Sequence, residues 1–127
     1  MDSSGQPLVA IIVPAYNRGS YLAATWAACL AQDYEPLEVI AVDDGSSDDT
    51  GAIMHDYATR DRRLRTFSYP VNQGQCVARN VGLGLAKSTL VKFLDSDDLL
   101  YTNTIRAQVK LLIEHGADVA VSGFSEF

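Results

Sequence analysis

Residues 37–50 read LEVIAVDDGSSDDT. Leu37 to Val42 is a run of apolar residues broken only by Glu38. It does not alternate as a strand with one wet face would. It matches the earlier run Leu8 to Val13 (LVAIIV), which suits a strand buried on both faces. Two carboxylates, Asp43 and Asp44, follow at once. Then come the turn residues Gly45, Ser46 and Ser47, and a helix predicted from Thr50 to Thr59. Ser47 or Asp48 is the expected cap, and acids in the first turn suit the helix macrodipole. A buried strand, a short turn and a helix make half of a parallel crossover unit.

The same alternation extends in both directions. Upstream, the first strand stops at Pro14. Ser20 is the predicted cap of a helix whose apolar stripe is Leu22, Trp26, Cys29 and Leu30. Downstream, Leu64 to Tyr69 is a weaker strand. Gln75 to Ala86 is a helix with Val77, Val81 and Leu85 at four-residue steps, loosened by Gly82 and Gly84. Thr89 to Leu94 is a strand. Thr102 to His115 is a helix with Ile105, Val109, Leu112 and Ile113 on one face, stopped by Gly116. Val119 to Val121 begins another strand. The βαβαβαβαβ order implies an α/β fold with a doubly wound, mostly parallel sheet and helices on both faces. Ligands of such sheets sit at the carboxyl ends of strands, near a switch in strand order.

Composition narrows the partners. The 127 residues suffice for one domain, and the net charge of −6 argues against nucleic acid or an anionic membrane as the main partner. No apolar stretch is long enough to cross a membrane, and residues 1–7 (MDSSGQP) read as a disordered lead-in rather than a secretory signal. Cys29 and Cys76 have neither metal spacing nor a disulfide framework, so a reducing, cytoplasmic setting is expected. His55 and His115 read as solvated helix residues.

Three polar patches fall at predicted strand ends: PAYNR after the first, DDGSSDD after the second and DSDD after the fourth. Parallel topology puts them on one edge. In DSDD, Asp95, Asp97 and Asp98 crowd into four positions; a pair of like charges about 4 Å apart costs roughly 4 kcal/mol at an effective dielectric near 20. Such acids can bind Mg²⁺ or Mn²⁺, which takes one or two protein carboxylates and completes its shell with water and phosphate oxygens. The plainer reading makes Asp97 or Asp98 the cap of the next helix, with the others solvated. In PAYNR, the Tyr16 ring suits a flat base, with Arg18 nearby for charge; a strand-ending turn is the plainer reading. NQGQCVARN (residues 72–80) adds a helix N-terminus, which favours phosphate, and a cation, Arg79. GLGLAK at Gly82 is not a dinucleotide fingerprint, because it lies late in a helix and before a strand. No P-loop is present.

Taken in order, these pieces resemble family 2 glycosyltransferases of the GT-A-type, Rossmann-like fold. VAIIVPAYNRGSYL resembles that family's opening strand and turn, QDYEPLEVIAVDDGSSDDT its second strand and nucleotide loop, and NQGQCVARNVGLGLAKSTLVKFLDSDDLL its helix leading to the D-x-D strand end. The resemblance covers about residues 8 to 115. It implies metal-dependent transfer of a sugar from a nucleoside diphosphate sugar, UDP-linked, to an acceptor with inversion, in polysaccharide or glycoconjugate assembly. By that likeness Pro14, Ala15 and Tyr16 line the base pocket, Asp43 and Asp44 contact base and ribose, and Arg79 helps hold the nucleotide. Asp95 lies by the ribose or the metal, Ser96 is a further residue of the nucleotide-sugar site, and Asp97, with Asp95, is the ligand to Mg²⁺ or Mn²⁺, Asp98 sharing that work or capping the next helix.

There are departures. Ser88 stands where the family commonly has glycine. The family's acceptor half and general base are expected beyond Phe127; neither Asp118 nor Glu126 is taken as that base. Residues 8–127 are therefore read as the donor-binding part of a truncated transferase, one that in full length would sit at the inner face of the membrane, its open edge covered by self-association. A non-catalytic nucleotide-binding or assembly module is the alternative. A phosphoacceptor receiver domain would need an acidic pair after the first strand, where PAY stands.

Overall fold

The computed structural model describes residues 5–121. Eight elements alternate along the chain: β1 (Val9–Ala15), α1 (Gly19–Leu30), β2 (Leu37–Asp44), α2 (Thr50–Arg60), β3 (Leu64–Tyr69), α3 (Gln75–Leu85), β4 (Leu90–Phe93) and α4 (Thr104–His115). The four strands are parallel, in the order β3-β2-β1-β4. The first two crossovers step one way along the sheet, from β1 to β2 to β3. The third returns across it to the far side of β1. Right-handed crossovers then require α1 and α2 on one face and α3 on the other, as observed. The reversal makes the gap between β1 and β4 the switch point of the sheet.

Both faces of the central strands are dry. Every residue of β1 and β2 is buried. Val9, Ile11 and Val13 face a layer built by α1, α2 and α4 through Leu22, Trp26, Cys29, Met54, Ile105 and Val109. Trp26 meets the Tyr57 ring edge-on, with centroids 5.0 Å apart. Ala10, Ile12, Ile40 and Val42 face α3 alone, through Ala78, Val81 and Leu85. The continuous apolar runs thus have the cause inferred from sequence.

Several expectations need correction. Pro14 does not end the first strand; it lies inside β1, opposite Val42. The Ile12 carbonyl accepts from the Leu94 amide at 3.0 Å, and the Val9 amide donates toward the β2 side. Alternation therefore turns Pro14 toward β4, which has already ended at Phe93. Its missing N–H costs no ladder bond. Gly82 does not loosen α3. A Cβ there would stand 2.4 Å from Ile12 Cγ2, so the glycine lets α3 lie close on β1. Helix α1 begins after Arg18, and Ser20 lies inside it rather than capping it. Val119–Val121, expected to begin a strand, are not in one, the continuation of that expected strand lies outside the described residues, and no strand lies beside β4 on its outer edge among the described residues. On α4, Ile105 and Val109 are buried but Ile113 is 64% exposed. Within the expected lead-in, residues 1–4 lie outside the described residues, whereas the Pro7 carbonyl is held by the Tyr34 hydroxyl. Gly116 does end α4, with φ +57 and the Ala117 amide returning to Leu112.

Gly82→Ala should lower stability by about 1–3 kcal/mol in urea denaturation, because the buried Ile12 has no room to yield. Burial pushes the Cys29 thiol up to about 12, against a smaller opposing effect of Lys92, while Cys76 is exposed. Alkylation of the native protein near neutral pH should therefore modify Cys76 and leave Cys29 untouched until denaturant is added.

Candidate functional site

β1 and β4 are paired only from Val9 to Ile12 on β1. Beyond that point the chains part. The space between their carboxyl ends is a cavity of about 380 Å³. Pro14, Ala15, Tyr16 and Arg18 form one wall. Asp95, Ser96 and Asp97 form the opposite wall. Asp44, Asn72, Gly74 and Gln75 close the third side. Tyr16 is 44% exposed, so its ring is available to a ligand.

The acidic stretch is a turn held from α1. The Asp98 amide donates to the Asp95 carbonyl at 3.0 Å. The Thr25 hydroxyl lies 2.9 Å from the carbonyl oxygens of both Ser96 and Asp98. Neither Asp97 nor Asp98 caps α4. Its N-cap is Asn103, and the Ile105 amide donates to Gln32 Oε1 at 3.0 Å. The capping explanation of the acid cluster therefore fails. Burial, and then the charges of Asp95 and Asp97, push the Asp98 carboxyl above the usual carboxylate range. The crowding is a real electrostatic load. Among the described residues no three metal-ligating side chains converge into a closed cage. The donor set fits a cation that takes one or two carboxylates and leaves its other positions to phosphate and water.

The carboxylates after β2 have separate surroundings. Asp43 accepts from the Ser46 amide at 3.0 Å, and its other oxygen would lie 2.8 Å from a Cβ on Gly51, at the start of α2. It is not part of the cavity lining. Asp44 lines the cavity, but each of its oxygens accepts two hydrogen bonds. Oδ1 takes the Tyr69 hydroxyl (2.6 Å) and the Gln73 amide (2.8 Å). Oδ2 takes Asn72 Nδ2 (2.7 Å) and the Gly74 amide (3.0 Å). A carboxylate has about four such acceptor positions. Asp44 therefore folds the β3–α3 loop against the sheet, so that Asn72 and Gly74 become a wall of the cavity. Gly74 holds φ +96, which a side chain would oppose.

A second latch joins the loops after β1 and β2. Asn17 adopts φ +51, and its Oδ1 accepts from the Ser47 amide at 2.9 Å. Its own amide donates to Ser46 Oγ at 3.0 Å, and the Arg18 amide donates to Thr50 Oγ1 at 3.1 Å. These bonds set where Tyr16, one residue earlier, leaves the sheet. Asn tolerates the left-handed conformation better than most residues, and the pattern Tyr-Asn-Arg after a buried strand is the one trace of this latch in the sequence.

Of the residues singled out from sequence, Pro14, Ala15, Tyr16, Asp44, Asp95, Ser96 and Asp97 thus share one cavity, and Asp43 and Arg79 stand outside its lining. Arg79 lies over the Phe93 ring, 5.7 Å from its centroid, and reaches Asp95 through a long 3.4 Å contact. Its Nε is buried without a hydrogen-bond partner. Asn72, Gly74 and Gln75 were visible only as part of a loop and helix start. The place of Asn72 and Gly74 in the cavity follows from their bonds to Asp44, and Gln75 follows directly as the first residue of α3.

The family model described as Glycosyl transferase family 2 matches residues 10–126. The chain belongs to glycosyl transferase family 2. Within this family it is 38% identical to an uncharacterised glycosyltransferase of Haemophilus influenzae over 109 residues, covering 86% of the chain and 44% of the relative. It is 33% identical to the glycosyltransferase GlyG of Streptococcus pneumoniae over 120 residues, covering 94% of the chain and 40% of the relative. The chain thus spans less than half the length of these relatives. Its fold is that of solved GT-A glycosyltransferases. TarS of S. aureus (residues 1–349), solved with UDP-GlcNAc, superposes with a TM-score of 0.81 at 30% identity, over 94% of this chain and 37% of TarS. The mannosyltransferase PcManGT of Pyrobaculum calidifontis, solved with GDP-Man and Mn²⁺, gives 0.79 at 29% identity, over 87% of this chain and 34% of the other. No helix among the described residues is long and apolar enough to cross a membrane.

Asp44→Ala should cost about 3 kcal/mol in urea denaturation, since buried donors on both Tyr69 and the 72–74 loop lose their acceptor. The Tyr69 phenol is pushed above its ordinary value by burial, then by the hydrogen bond and charge of Asp44 and the charge of Asp43. The unfolded chain releases this proton first. Stability tied to the phenol is whole below about pH 10 and is lost as pH climbs through the raised folded-state value. Tyr69→Phe should therefore lose less stability than the wild type between about pH 9 and about pH 11, read by denaturation at each pH.

Proposed function

We propose that this chain supplies the donor-binding part of a glycosyltransferase that moves a sugar from a UDP-linked donor to an acceptor, with inversion at the anomeric carbon. The observation that carries this reading is the meeting of Tyr16, the Asp95–Asp97 turn and the 72–75 loop in one cavity at the carboxyl ends of β1 and β4. A relative named as a putative teichuronic acid biosynthesis glycosyltransferase, TuaG of Bacillus subtilis, supports a polysaccharide as acceptor.

In this reading the base of the nucleotide lies against Tyr16, between Pro14 and Ala15 on one side and the loop held by Asp44 on the other. Asp43 and Asp44 shape this base and ribose end; the oxygens of Asp44 are already engaged, so its part is to place Asn72 and Gly74. Asp95 and Ser96 stand by the ribose. Asp97, with Asp95, would hold Mg²⁺ or Mn²⁺. When bound, that ion offsets the charge of the diphosphate and of the leaving nucleoside diphosphate. Arg79, only loosely paired to Asp95, is free to turn its guanidinium to the diphosphate once a cation takes that carboxylate. Neighbours solved with UDP-GlcNAc, and with GDP-Man and Mn²⁺, support the donor class and the ion. The base that takes the acceptor's proton is assigned to no residue of this chain.

UDP with Mn²⁺ should raise the melting temperature, by an amount equivalent to about 2.7 kcal/mol at a hundred times the dissociation constant. Asp97→Ala should remove the Mn²⁺-dependent part of that shift and keep the part due to UDP alone. Identical melting of the wild type with and without UDP and Mn²⁺ would sink the reading, and a larger shift with GDP would move the donor to the guanosine series.

A further inference from the structure

Helix α1 buries the polar side chain of Thr25 (1% exposed), and the turn just after the helix buries that of Gln32 (7% exposed). A threonine inside a helix commonly returns its hydroxyl to a carbonyl of the preceding turn. Thr25 instead spends its hydroxyl on a loop 71 and 73 residues away. Its single proton is shared between the Ser96 and Asp98 carbonyls in a three-centre arrangement. Those carbonyls belong to the Ser96–Asp97 and Asp98–Leu99 peptide units, which bracket the Asp97–Asp98 pair.

The turn after the same helix holds the rest of the β4–α4 connection. Gln32 Nε2 donates to the Tyr101 carbonyl at 2.7 Å, and its Oε1 accepts from the Ile105 amide. The Asp33 amide donates to the Thr102 carbonyl at 2.9 Å. The segment from Leu94 to Asn103 has no regular ladder of its own. Its shape is therefore set by the turn after α1 and, at the acidic end, by Thr25 of the helix itself. An oxygen ligand set of only one or two carboxylates is sensitive to backbone placement, because no further protein ligand corrects an error.

We propose that Thr25 is a positioning residue for the cation-binding acids: its buried hydroxyl fixes the backbone on both sides of Asp97, so that Asp97 and Asp95 present to one divalent cation together. The proposal rests on the donor-site reading given above. It assigns a specific role to a residue that touches neither nucleotide nor cation. Partners that orient a metal ligand typically change metal affinity by about 10- to 100-fold when removed.

The test uses the whole chain and two probes, Mn²⁺ alone, read from the electron paramagnetic resonance of the free ion, and UDP without metal, read by calorimetry. Thr25→Val keeps the shape and removes the hydroxyl; Thr25→Ala serves if the valine variant does not fold by circular dichroism. The hydroxyl-free variant should bind Mn²⁺ at least about ten-fold more weakly while its metal-free UDP affinity stays at the wild-type value. Thr25→Ser keeps the hydroxyl and should bind Mn²⁺ as the wild type does, even where its melting temperature falls. Wild-type Mn²⁺ affinity in the folded valine or alanine variant overturns the positioning role and leaves the donor site standing. Equal loss of Mn²⁺ and UDP binding, or failure of the serine variant to restore Mn²⁺ binding, also overturns it. A wild type that binds Mn²⁺ neither alone nor with UDP overturns the donor-site reading itself, and the role of Thr25 with it.

Discussion

Strand β1 is hydrogen-bonded to β2 over its full length but to β4 only as far as Ile12. Had the pairing continued to the end of β1, Asp95 and Ser96 would lie in the ladder and the carboxyl edge would be closed. Because it stops, two chains leave the sheet in different directions and a cavity opens between them. Pro14 suits this arrangement. It sits where β1 faces the departed β4, so its lack of an amide proton costs nothing, and it offers no donor that would draw a strand back into register. The early parting is compatible with stability because the shared part of β1 is wholly buried, with α3 on one face and α1, α2 and α4 on the other.

Around that opening, the loops are organised by polar side chains rather than by apolar contact. Asp44 gathers the β3–α3 loop, Asn17 joins the loops after β1 and β2, and Thr25 and Gln32 hold the loop after β4. Each of these buried or half-buried groups has its hydrogen bonds met, as it must to be tolerated at low dielectric. The exposed acids are treated differently. Asp95, Asp97 and Asp98 share an edge with few compensating partners, and the carboxyl of Asp98 is pushed up, first by burial and then by its two neighbours. The molecule satisfies Asp44, which builds a wall, and leaves Asp95 and Asp97 on the opposite wall with little more than the long Arg79 contact. That division is what a site for a cationic or cation-bridged ligand requires.

Much of the architecture was legible in the sequence. Runs such as LVAIIV and LEVIAV are too continuous for a half-exposed strand, and the helical stripes between them are regular, so the alternating order and the parallel sheet followed. Ordered motifs at three strand ends then pointed to one edge. The errors cluster where the sequence signal is the same for two structures. Gly82 reads as a weak point of a helix when only the helix is considered, and as a close contact once β1 lies against it. Pro14 reads as a stop until the partner strand is known to have ended. Val119 to Val121 has strand composition, but composition supplies no neighbour to pair with.

The sequence by itself determined which segments become strands and helices, because periodic burial is a property of a segment and its immediate neighbours. It also determined that acids and an aromatic meet at one edge, because parallel crossovers allow nothing else. Only the tertiary structure decided the task of each polar residue. Asp43 and Asp44 are adjacent and chemically identical, yet one faces the start of α2 and the other holds a loop from 28 to 30 positions along the chain. Thr25 looks like any helical threonine until Ser96 and Asp98 are set against it. Hydrogen bonds between distant residues depend on position to a fraction of an ångström, and that position is fixed only when the whole sheet and its helices have packed.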